Sequence, residues 1–174
     1  MKQFGGKVLF LDRADINTDE IIPAKYLTEI SKEALKPHML EALKLEGFDQ
    51  RARSVGEAGV IITRDNFGCG SSREHAVWVF EVNNIHVVIA SGFARIFRQN
   101  MFNCGMLAIE LSAKEIDMLF AHNGHNAKVS VDFEKDTLTV SSDRGAETIA
   151  YQITDFDKEL VKAGGWVEFA DTKY

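Results

Sequence analysis

A chain of 174 residues with 45% hydrophobic side chains and twelve Phe has enough apolar material for a packed core and does not read as a disordered segment. Its formal charge of -6 and its lack of a basic stripe exclude a general binder of nucleic acid or of anionic membrane surfaces. No apolar run approaches the roughly 18 to 20 residues needed to cross a bilayer, and residues 1–6 carry no signal-peptide apolar region, so a cytoplasmic protein is expected, with Cys69 and Cys104 as thiols.

Residues 6–12 read as a strand, followed by a polar turn over 13–19. From Ala24 to about Leu45, helix formers interrupted by Pro37 predict two short helices around an irregular connection, and 47–56 reads as surface loop. Strand and helix signals then alternate: strands over 59–63, 86–90 and 106–110, helices over 72–83, 92–102 and 112–121. Such a βαβ order implies parallel strands joined by right-handed crossovers. Beyond Gly124 the apolar pattern has a period of two over 127–133, 137–141 and 147–152, which predicts antiparallel hairpins. Thr154 is placed to cap a last helix over 155–163 that stops at Gly164 and Gly165. One α/β domain spanning 1–174, with a βαβ parallel core and a β-rich C-terminal section, is the expected fold.

The segment 66–76, Asn-Phe-Gly-Cys-Gly-Ser-Ser-Arg-Glu-His-Ala, carries the most chemistry, because it puts two hydroxyls and a guanidinium where a glycine-rich loop turns from strand to helix. Gly68 and Gly70 allow close backbone approach, first-turn N–H groups lack helical partners, and Arg73 adds a planar donor for a carboxylate. Ser71, Ser72 and Arg73 are therefore the leading candidates for holding an organic anion. Ser71-x-x-Glu74 also has the spacing of a capping box, in which Ser71 does no chemistry. Nucleotide loops fit poorly: Arg73 stands where a dinucleotide fingerprint needs glycine, and no Gly-Lys-Ser/Thr of a P-loop is present. Glu74 and His75 read as supporting residues. Arg95 and Arg98 share one side of a helix, and Arg95 is the better candidate for reinforcing the anion pocket. His122 and His125 lie in a polar turn without a third ligand, so no metal site is read.

Three blocks in fixed order, 17–27 (Asn-Thr-Asp-Glu-Ile-Ile-Pro-Ala-Lys-Tyr-Leu), 66–76 and 92–100 (Gly-Phe-Ala-Arg-Ile-Phe-Arg-Gln-Asn), carry a family resemblance over residues 6 to about 111. The chain resembles the small subunits of the 3-isopropylmalate dehydratase and homoaconitase group, which correspond to the swivelling C-terminal β/β/α domain of aconitase. The resemblance implies a hydro-lyase that moves a hydroxyl between adjacent carbons of a hydroxy-dicarboxylate by dehydration and rehydration. It further implies a large-subunit partner bearing a [4Fe-4S] cluster, with no cluster on this chain, since cluster ligation takes about three or four thiolates. Ser71 matches the serine whose alkoxide removes the proton alpha to a carboxylate; Ser72 and Arg73 match carboxylate contacts, Asp19 an active-site aspartate and Thr18 its neighbour. Tyr26, Leu27, Thr28 and Glu29 sit where the family's substrate-selecting loop follows the first block. Homoaconitase-type loops place an arginine there, whereas Thr28 is neutral and Glu29 repels a distal carboxylate, so an apolar substituent is favoured and leucine biosynthesis is the expected setting. Homoaconitate, methylmalate or dimethylmalate as substrate, and a non-catalytic anion-binding module, remain the competing readings.

Overall fold

Where an apolar run is buried on both faces it forms a strand without alternation, and the two middle strands of this protein follow that rule. A computed structural model describes all 174 residues. Its strands are β1 (Gly5–Leu11), β2 (Ala58–Thr63), β3 (Val87–Ala90), β4 (Leu107–Glu110), β5 (Lys128–Asp132), β6 (Thr137–Ser142) and β7 (Gly145–Ala150). The helices are α1 (Thr18–Ile21), α2 (Lys32–Leu35), α3 (Arg53–Gly56), α4 (His75–Val82), α5 (Arg95–Asn103), α6 (Ala113–Phe120), α7 (Asp155–Ala163) and α8 (Trp166–Lys173). All seven strands join one sheet in the order β4-β3-β2-β1-β5-β6-β7. The β1 to β4 half is parallel, with α4 and α5 as crossovers, and β5 to β7 form an antiparallel meander attached to the free edge of β1.

All four residues of β3 are buried, as are Val60, Ile61 and Ile62 of β2, and they share one apolar cluster of 41 residues with Leu138, Val140 and Ile149 of the meander. The C-terminal strands therefore bury their inner face in the same core as the parallel strands. This mixed α/β architecture agrees with the expected βαβ core and β-rich C-terminal section.

Several boundaries differ from the sequence reading, each for a local reason. Helix α4 begins at His75 rather than at residue 72, with Glu74 as N-cap and no side-chain cap bond, so Ser71 and Glu74 do not form a capping box. Helix α5 begins at Arg95 rather than at residue 92, because Phe93 is drawn out in a parallel bridge with Phe67. The segment 24–45 contains α2 and two 3-10 turns, the second holding Pro37 in its first turn, where the missing N–H costs nothing. The loop over 47–56 contains the single turn α3. Thr154 does cap α7, accepting from the Asp157 N–H at 3.1 Å. Gly164, with φ of 98°, ends α7, but Gly165 restarts the chain as α8, which the sequence reading omitted. A side chain at Gly165 would meet the Asn103 carbonyl at 2.6 Å, so that glycine lets the α7–α8 turn pack on the end of α5.

Ile61 lies on β2, between β1 and β3, with no exposed surface. Ile61→Ala is expected to destabilise the fold by about 2–5 kcal/mol through lost burial and a residual cavity, read as a lower urea midpoint.

Candidate active site

In open sheets with parallel strands, ligands gather beyond the carboxyl ends of those strands. Here three loops meet at that edge: 12–17 after β1, 64–74 after β2 and 91–94 after β3. Parallel pairing continues past the strands, in bridges between Asn17 and Cys69 and between Phe67 and Phe93. Phe67 also packs edge-on to Phe97 at 5.4 Å, so the motif loop is rooted in the core by its own second residue. Gly68 follows with φ of 83°, and a Cβ there would meet the Phe97 ring at 2.2 Å. Gly70, with φ of 93°, faces Asn17 and Thr18. The first glycine is thus required by packing, and the second turns the chain so that Ser71 and Ser72 emerge into solvent.

Thr18 is the hinge between the first two loops. It is 2% exposed; its N–H donates to the Cys69 carbonyl at 2.9 Å and its hydroxyl to the Ser71 carbonyl at 2.8 Å. Thr18 therefore fixes the Ser71 backbone and leaves the Ser71 hydroxyl free. Arg73 reaches the same segment: Nη1 donates to Asp19 at 2.7 Å and to the Ile22 carbonyl at 3.4 Å. Its side chain is only 9% exposed, against 63% for Asp19, and its Nε is buried with no hydrogen-bond partner. A buried charged donor left unpaired is costly unless a ligand completes it.

A cavity of about 220 Å³ opens between these loops, lined by Thr18, Gly70, Ser71, Ser72, Arg73 and Arg95 among others. Arg73 and Arg95 are the only charged residues in that lining. In a chain of net charge -6, two guanidiniums beside two hydroxyls make a local site for an anion. Arg95, the first residue of α5, is exposed at the rim. The start of α4 contributes less to this site than a free helix N-terminus does, because the Ala76 and Val77 amides donate back to the Arg73 and Glu74 carbonyls. Glu74 is exposed and points to no partner. A second cavity of about 700 Å³ lies between β1 and the segments 45–57 and 123–128; several of its charges are paired, Lys7 and Arg53 with Glu57 and Asp12 with Arg64.

The substrate-selecting candidates are held less directly. Tyr26 stacks on His38 with ring centres 3.9 Å apart and donates its hydroxyl to Glu41 at 2.6 Å, which pushes the phenol pKa up. Its polar end is thereby engaged away from the cavity. Leu27 is half-buried, Thr28 and Glu29 are exposed, and His75 Nε2 donates to the Glu29 carbonyl at 3.1 Å.

The sequence reading missed the network beneath the site. The capping box belongs to Asn17 and Glu20 at the start of α1, where the Asn17 side chain accepts from the Glu20 N–H at 3.0 Å. The signal was present, since Asn17-x-x-Glu20 has the same spacing as Ser71-x-x-Glu74. Glu20 is 8% exposed, pairs with both ends of the Arg13 guanidinium and accepts from the Lys44 N–H at 3.0 Å. The Arg13 hydrogen bonds, against the opposing effect of burial, hold its carboxyl below the ordinary 4.5. His122 is not an open polar turn residue: it is 4% exposed and bonds Ser142 at 2.6 Å and Glu147 at 3.3 Å, tying the end of α6 to the last hairpin.

No group of three or more His, Cys, Asp or Glu side chains converges as metal ligands. The two cysteines do not fit an iron–sulfur cluster. Two thiols are fewer than the roughly three or four thiolates that a cluster takes, and burial pushes the Cys104 thiol up to about 11.

Fold and site together define a class: an α/β domain presenting a serine and arginine loop at the carboxyl edge of a parallel sheet. The family model described as the aconitase C-terminal domain matches residues 1–114. The 3-isopropylmalate dehydratase small subunit of Aromatoleum aromaticum is 35% identical, over 94% of this chain and 84% of that protein. Its counterpart in Leptospira interrogans is 39% identical over 80% of this chain and 74% of that protein. A crystal structure of 3-isopropylmalate dehydratase from Methanocaldococcus jannaschii superposes with a TM-score of 0.77 at 30% identity, covering 98% of this chain and 94% of that one. The chain belongs to the aconitase C-terminal domain family, in the branch of the 3-isopropylmalate dehydratase small subunits.

Two substitutions probe this construction. Gly68→Ala forces a left-handed residue into the Phe97 ring and is expected to cost about 2–5 kcal/mol of stability, measured by urea unfolding. Because the folded Glu20 carboxyl is depressed, its contribution is present above 4.5 and is lost as pH falls through the folded value. Glu20→Gln should therefore lower the melting temperature at neutral pH and flatten the acid loss below that point.

Proposed function

We propose that this chain is the small subunit of a hydro-lyase that converts 2-isopropylmalate to 3-isopropylmalate by dehydration and rehydration, working with a large subunit in the leucine pathway of the cytoplasm. The carrying observation is that Ser71, Ser72 and Arg73 line one cavity with Thr18, in which Arg73 and Arg95 are the only charges. Kinship to small subunits 33–39% identical supports the reaction class.

In this reading the whole of 1–174 acts as one swivelling domain. Arg73 takes a substrate carboxylate on its guanidinium, in place of the exposed carboxylate of Asp19 at Nη1. Ser72 donates a further hydrogen bond to that carboxylate. Ser71 Oγ, as an alkoxide, accepts the proton alpha to it; the carbon–hydrogen electron pair forms the double bond as hydroxide leaves the neighbouring carbon. Rehydration in the opposite sense returns the proton from Ser71. A serine alkoxide needs positive potential and exclusion of water, and Arg73, Arg95 and the glycine loop supply the first. Docking of the large subunit over the exposed serines supplies the second. A [4Fe-4S] cluster held by that partner would supply a Lewis acid for the leaving hydroxide; this chain, with two thiols, has too few to hold one. No helix is long and apolar enough to cross a membrane.

The isolated chain is expected to be inactive and to gain dehydratase activity only with its large subunit under reducing conditions; turnover by the chain alone overturns the division of labour. Ser71→Ala should lower kcat by about 10²–10⁴-fold while the complex still assembles on size-exclusion chromatography, and a near-normal rate would reduce Ser71 to a loop residue.

A further inference from the structure

We propose that His75 is a positioning residue which holds the substrate-selecting segment in place through the Glu29 carbonyl, so that one helix both follows the anion loop and carries the loop that chooses the substrate. The inference rests on the reading of Tyr26, Leu27, Thr28 and Glu29 as the selecting segment. His75 Nε2 lies 3.1 Å from the Glu29 carbonyl, across 46 positions of sequence. Every other hydrogen bond to the backbone of residues 27–31 is local, from Leu27 to Ala24, from Glu29 to Tyr26 and from Ala34 to Ser31.

A second anchor follows immediately. Lys32 Nζ bonds Glu81 at 2.7 Å and lies 5.5 Å over the Trp78 ring, against which His75 packs at 4.7 Å. Burial would raise the Glu81 carboxyl, but Lys32 and Lys2 outweigh it and hold the pKa below the ordinary value, so the anchoring charge persists at neutral pH. His75, Trp78 and Glu81 are spaced by three residues and share one face of α4. The chain from Glu29 to Lys32 runs along that face, with only Ile30 and Ser31 between the anchors. Ile30 is 96% exposed, an apolar side chain presented to solvent rather than buried. Residues 26–31 contain no cation, so the segment so held suits a malate with a small uncharged alkyl substituent and disfavours one with a third carboxylate.

A histidine donates from Nε2 both as that neutral tautomer and as the imidazolium, whereas alanine removes the donor and glutamine keeps one. The test uses the reconstituted two-subunit complex with isopropyl- and methyl-substituted malates, together with backbone ¹⁵N relaxation of the labelled small chain. His75→Ala is expected to change the isopropyl-to-methyl ratio of kcat/KM by about two- to tenfold, the size of one lost hydrogen bond, carried by KM rather than kcat. The heteronuclear NOE of the Glu29 and Ile30 amides should fall, and His75→Gln should restore both readouts in part. An unchanged NOE overturns the tether, and a loosened segment with an unchanged substrate ratio overturns its role in selection. A wild-type complex inactive on every malate overturns the dehydratase reading instead, while the relaxation data still decide the tether.

Discussion

Everything at the candidate site depends on parallel pairing that does not stop where the strands stop. Beyond β1, β2 and β3 the chain continues in register through the Asn17–Cys69 and Phe67–Phe93 bridges, with Thr18 donating twice into the motif loop. Backbone groups that would otherwise need water are satisfied by a neighbouring loop, so a glycine-rich segment acquires the rigidity of a sheet edge. Gly68 must lack a side chain because Phe97 occupies that space, and the same packing throws Ser71 and Ser72 outward. Preorganisation here is a consequence of core packing carried into a loop.

Charge is arranged on the same scaffold in two layers. Underneath, Arg13 is neutralised by Glu20, which is buried and also caps α1 through Asn17. Above it, the one acidic partner of Arg73 is the exposed Asp19, and Arg95 has no acidic partner at all. The buried ion pair holds the 12–20 segment in place while the upper guanidiniums keep donors for a ligand. An acidic protein thereby maintains a small positive site that meets an anionic substrate locally rather than by its overall field.

The order and type of the main elements were legible because apolar periodicity survives translation into structure: the continuous runs in β2 and β3, the alternation in β5 to β7 and the Thr154 cap all appear where their patterns place them. The motif block was legible for the same reason that it is chemically unusual, two glycines, two hydroxyls and an arginine in succession. What misled was spacing that suits two local structures. Ser71-x-x-Glu74, Asn17-x-x-Glu20 and Ser112-x-x-Glu115 all have the spacing of a capping box, but α4 starts after Ser71, at His75, so only the second and third form one. Helix α8 was invisible behind two glycines because a helix stop and a helix redirection look alike until the end of α5 is placed against the turn.

The sequence by itself determined the elements, the chemistry of the loop and the family to which it belongs, because these follow from short-range periodicity and from residue types at close spacing. Tertiary structure alone decided which polar groups are spent and which are free. Thr18 uses its hydroxyl on a backbone carbonyl, Tyr26 spends its own on Glu41, and Glu20 is consumed by Arg13, while the hydroxyls of Ser71 and Ser72 remain exposed and unpaired. A hydrogen bond is a relation between groups 7 to 54 positions apart here, and no local pattern records which partner folding will bring.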